Sequence, residues 1–143
     1  MEQDSAQAEK IARECFARIT ARVPSLQIDS TEQGLELCLP VQPGLAHEVR
    51  LSFQNFDELH LYIGHFWLEW FPSHDQERAD SYVDAVCGFL AGTYRIVEHY
   101  RLENCIKAEL QRPAGQGWET LGSWSKLRWP SLRRTEQKVI ANA

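Results

Sequence analysis

Between Ser5 and Val23 the apolar side chains fall at Ala8, Ile11, Ala12, Cys15, Phe16, Ile19 and Val23. That i, i+3, i+4 spacing predicts a helix with one buried stripe. Asp4 followed by Gln7 supplies a cap for its start, and Pro24 stops it. The opposite side, with Glu9, Lys10, Arg13, Glu14 and Arg18, reads as a solvated surface with i, i+4 charge pairs. From Leu26 to Phe71 the period changes to two. "LQIDS" and "LELCLP" are short strands joined by the turn "TEQG". Pro40, Pro43 and Gly44 break the chain before "HEVRLSF", and "ELHLYI" and "HFWLEWF" follow.

A second helical stripe, Ala79, Tyr82, Val83, Val86, Phe89 and Leu90, follows Ser73 and Gln76, which have the spacing of a capping box. Gly92 closes it, since a left-handed residue commonly ends a helix. Then "TYRIVEHYR", "NCIKAELQR" and "WETLGSW" alternate as strands, the last two joined by the loop "RPAGQG". Helix, four or five strands, helix, three strands is the order of an α+β fold. We expect one antiparallel meander sheet with both amphipathic helices on one face, in a single domain over residues 1–124. Residues 125–143 form a basic tail, disordered in part or folded as a short helix from Ser131 to about Ile140 behind Pro130.

Composition changes this picture little: 43% hydrophobic and 24% charged residues are globular values. At 143 residues the chain buries roughly 68–70% of its unfolded surface and requires neither disulfide nor metal for stability. Cys15, Cys38, Cys87 and Cys105 lie far apart without a C-x-x-C pair, as buried free thiols do. No run of 18 apolar residues is present, and the polar, acidic N-terminus is unlike a signal peptide, so a cytoplasmic protein is expected. Net charge is −5, divided into −9 over residues 1–124 and +4 from Ser125 onward. An acidic body repels nucleic-acid phosphates and steers toward basic partners. Trp118, Trp124 and Trp129 beside Lys126, Arg128, Arg133 and Arg134 have the composition of a single-strand-binding surface. Trp118 and Trp124 would share one strand face, however, and suit a core equally well.

Candidate chemistry concentrates in "HLYIGHFWLEWFPSHD", residues 60 to 75. Read as one strand with a bulge at Gly64, it has an apolar face of Leu61, Ile63, Phe66, Leu68 and Trp70. His60, Tyr62, His65, Trp67 and Glu69 form the opposite face. Along such a strand His60 and His65 stand about 16 Å apart and His65 and Glu69 about 13 Å apart, too far to share an ion. A metal site would need His47, His74 or His99 from neighbouring segments, so no metal or cofactor is expected. Ser73, His74 and Asp75 are sequence neighbours that cannot align as a triad, and "GFLAG" ends a helix where a phosphate loop would begin one.

"ELHLYIGHFWLEWF", the capped helix after it and "GTYRIVEHYR" resemble small bacterial α+β families of uncharacterised proteins that include immunity proteins of polymorphic toxin systems. The resemblance covers under half the chain. It implies a non-enzymatic protein that binds and blocks a basic toxin-like partner. The expected function is therefore a cytoplasmic protein-binding domain, immunity-like, with His60, Tyr62, His65, Trp67, Glu69 and His99 as candidate binding residues and no catalytic residue. The alternative is a small enzyme or ligand-binding domain with a cavity between helices and sheet, lined by His65, Glu69 or His99. A tryptophan-rich face also suits a homo-oligomer.

Overall fold

The computed structural model describes residues 2–126 and 135–142. Helix α1 (Glu2–Arg22) is followed by strands β1 (Asp29–Ser30), β2 (Glu36–Leu39), β3 (Val49–Gln54), β4 (Glu58–Ile63) and β5 (Phe66–Trp70). Helix α2 (Gln76–Leu90) comes next, then β6 (Arg95–Arg101), β7 (Asn104–Ala114), β8 (Gly117–Ser125) and β9 (Glu136–Ile140). The fold is α+β with antiparallel pairing throughout. Its strands divide into two sheets where one was expected: a five-stranded sheet ordered β1-β2-β3-β4-β5 and a four-stranded sheet ordered β8-β7-β6-β9.

The stripe on α1 buries Ala8, Ile11, Ala12, Cys15, Phe16 and Ile19 as its spacing requires. α2 buries Tyr82, Val86 and Phe89 against the same core, where Leu37, Leu39, Leu51, Leu59, Leu61 and Ile63 of the first sheet meet Ile96, Leu110 and Ile140 of the second. Inside this core Tyr82 donates a hydrogen bond to the His60 carbonyl at 2.8 Å and meets the Trp70 ring edge-on at 5.3 Å. The space between helices and sheets is thus packed apolar core.

Four expectations are corrected. Asp75, not Ser73, caps α2, its carboxylate accepting from the Glu77 N–H at 3.0 Å. The Ser73 hydroxyl is buried and instead donates to the Ala8 carbonyl of α1 at 3.0 Å. Gly64 and His65 form no bulge; they are the two-residue turn of a β4–β5 hairpin in which Ile63 pairs with Phe66. Gly64 adopts φ +58, the left-handed conformation such a turn requires. A register shift in the β7–β8 ladder separates Trp124, opposite Ala108 on the core side, from Trp118, which lies on the outer side beneath the Arg95 guanidinium at 3.9 Å. The two tryptophans therefore do not share a face.

The fourth concerns the tail. Glu136–Ile140 is a strand paired with β6, not a helix or a disordered end, and Ile140 is buried opposite Ile96. Ser131–Arg134 of the expected helix, together with Trp129 and Arg128, lie outside the described residues. All four cysteines are free, Cys15 and Cys105 buried, Cys38 and Cys87 half-buried. Burial pushes the Cys15 thiol up to about 11. Among the described residues no helix is long and apolar enough to cross a membrane.

Candidate functional site

Both helices pack on one side of the five-stranded sheet, so the other side lacks a helical cover among the described residues. Strand alternation decides what stands there. The registers align Asp29, Cys38, Arg50, Tyr62 and Trp67 in one row across all five strands. Glu36, Ser52, His60 and Glu69 form the next row, and Gln54 faces Glu58. Asp29, Glu36, Cys38, Arg50, Ser52, Gln54 and Tyr62 contribute to a hollow of about 500 Å³. Burial pushes the Cys38 thiol up, and a 3.2 Å hydrogen bond to the Glu48 carboxylate adds to the rise. Trp67 is 45% exposed beside this hollow's Tyr62 wall.

Next to the hollow sits a linked polar cluster. His60 is 6% exposed, its ring stacked on Tyr62 with centroids 5.8 Å apart. Nε2 lies 3.0 Å from a Glu58 oxygen, and Nδ1 lies 3.1 Å from the Tyr62 hydroxyl. Gln54 donates to that hydroxyl at 3.2 Å and to Ser52 Oγ at 2.7 Å; Asn55 donates to the same Glu58 oxygen at 3.2 Å. Glu69 stands directly opposite His60 across the hairpin.

Of the sequence candidates, His60, Tyr62, Trp67 and Glu69 thus share one face, as expected, though by pairing across a hairpin and not along one strand. His65 leaves that face. It sits in the turn, where its N–H donates to Glu98 Oε2 at 2.7 Å, its carbonyl accepts from Trp124 Nε1 at 2.8 Å, and its ring meets Tyr100 edge-on at 6.0 Å. His99 is on the outer side of the other sheet, 2.8 Å from Glu109. Burial raises the Glu109 carboxyl, but the His99 hydrogen bond and the Lys107 charge outweigh it and hold the group below its ordinary value. An acid–base set of His65, Glu69 and His99 therefore does not form as one site.

Charge follows the same division. The segment 23–75, which builds the first sheet, holds eight acids and one base, Arg50; the segment 91–143 holds nine bases and five acids, of which six bases and five acids fall on described residues. Asp29, Glu36, Glu48, Glu58 and Glu69 share the open side of the sheet with that single arginine. The counts were legible in the sequence, but dividing the chain at Ser125 concealed them. Glu58 and Ser52 were not singled out because their convergence on His60 depends on strand pairing.

In comparisons with known proteins, no family model matches the chain, and no curated protein or solved structure matches it either.

Proposed function

We propose that the protein is a non-enzymatic binding domain that receives a basic protein partner on the open face of its five-stranded sheet, in an immunity-like role. The observation that carries this reading is the presence of five carboxylates and a single guanidinium on a sheet face that neither helix packs on. Charge complementarity of this kind raises association rates and rejects partners of the wrong sign. Trp67, half exposed among these acids, adds the aromatic anchor at which binding energy usually concentrates.

The test is capture of the partner from a lysate of the native host with the wild-type protein and with a Glu36→Lys, Glu48→Lys, Trp67→Ala variant, followed by titration of the purified pair. Loss of the complex by at least about tenfold in affinity, with the variant still folded, supports the assignment. Equal affinity of the two proteins overturns it. The hollow of about 500 Å³ favours a second reading, since its size is that of a small-molecule site. It lies on the side of the sheet away from the helices, opposite to the cavity expected from sequence. A co-purifying small molecule lost on Arg50→Ala would select that reading.

A further inference from the structure

We propose that Glu58, His60 and Glu69 form a binding site for one divalent first-row transition-metal ion, with zinc the occupant that fits best. One donor atom from each residue lies within 4.8 Å of the other two. The donors of a tetrahedral zinc ion, about 2.0–2.2 Å from the metal, stand about 3.4 Å from one another, so closure needs rotamer adjustments and no backbone movement. Two carboxylates with one imidazole form a donor set that binds zinc, manganese or iron in preference to softer, thiolate-seeking ions.

The histidine separates this group from an ordinary acidic patch. His60 is more than nine-tenths buried, and its position between two carboxylates creates a local demand for positive charge. Its Nδ1 is already held by the Tyr62 hydroxyl, the kind of oxygen partner that fixes the tautomer of a metal-ligating imidazole. With an ion bound, Nδ1–H would donate to the Tyr62 hydroxyl and the Nε2 lone pair would face the carboxylates. The 3.0 Å contact between Nε2 and Glu58 is the one the ion would replace, with Nε2 presenting its lone pair to the metal. Three protein donors leave a coordination position for water or for a donor from outside.

A second group, His65, Glu98 and Cys105, has comparable spacing and serves as the internal competitor. It differs in how its donors are held: both Glu98 oxygens accept hydrogen bonds, from the His65 N–H and the Tyr100 hydroxyl, and Cys105 Sγ is directed at the Lys107 carbonyl, whereas the Asn55 and His60 contacts of Glu58 fall on one oxygen. The metal proposal does not rest on the partner reading, because it is measured on the isolated protein.

The experiment is calorimetric titration of chelator-stripped protein with zinc chloride, repeated with cobalt chloride to record the visible spectrum of the bound ion. One equivalent is expected, with an affinity reduced at least about tenfold by Glu69→Gln, an isosteric change on a half-exposed side chain, and by about tenfold in Tyr62→Phe. His99→Gln and Cys105→Ser should bind as the wild type does. Circular dichroism of each variant confirms that it is folded. Absence of binding to the wild type overturns the proposal, as does binding that survives Glu69→Gln and disappears in Cys105→Ser.

Discussion

Ser73 and Asp75 stand two residues apart and do different work. Ser73→Ala removes the hydroxyl bond that ties the start of α2 to the Ala8 carbonyl, an oxygen that keeps its own place in the α1 ladder, and should cost about 0.5–1.5 kcal/mol, read by denaturant unfolding. Asp75→Ala removes the helix cap and should cost about 1 kcal/mol by the same measurement. The sequence offered two residues of capping type; only the arrival of α1 over the turn decides which one caps. Tyr100 gives a pH signature. Burial and its hydrogen bond to Glu98 push its hydroxyl up from 10.0 to about 12. The folded state therefore favours the neutral phenol. That contribution is complete below the unfolded value and is lost as pH rises through the folded one. Stability of the wild type relative to Tyr100→Phe should fall between about pH 10 and 12, a window in which tyrosinate absorbance tracks the ionisation.

At the scale of elements, period and punctuation revealed both helices and seven or eight of the strands, most of which bury one face so that alternation reports burial. Hairpins were harder. "HLYIGHFWLEW" carries the same face pattern whether Gly64 bulges or turns, and only the pairing of His60 with Glu69 shows the difference. In the same way, the β7–β8 register shift moved Trp118 away from Trp124 without any mark in the spacing. The hairpin tip is also where the sheets are joined, since Glu98 is 1% exposed and accepts from the His65 N–H. Glu98→Ala should destabilise the protein by about 2–3 kcal/mol in denaturant unfolding, the cost of orphaning donors that were bonded to a buried carboxylate.

Across the whole molecule, the segment of the first sheet is strongly acidic, eight acids to one base, while the described part of the second, which shares its core, is nearly balanced. Association with a basic partner through the first sheet should therefore weaken with ionic strength, chiefly through the on-rate, and stopped-flow mixing at two salt concentrations would show it. The end of the chain was harder to read from sequence, because β9 brings residues 136–140 back beside β6 and makes them part of the second sheet. β9 is also followed by Asn142, whose side chain donates to the carbonyls of Gly44 and Leu90 and accepts from the Ala46 N–H. Two distant segments, the loop at 44–46 and the end of α2, are thus fastened by a residue synthesised after both of them. During translation, β1 to β8 and both helices leave the ribosome with a gap beside Ile96 and loose ends at residues 44, 46 and 90. A nascent chain stalled before Glu136 should remain open to protease, and emergence of residues 136–142 should be the event that closes it.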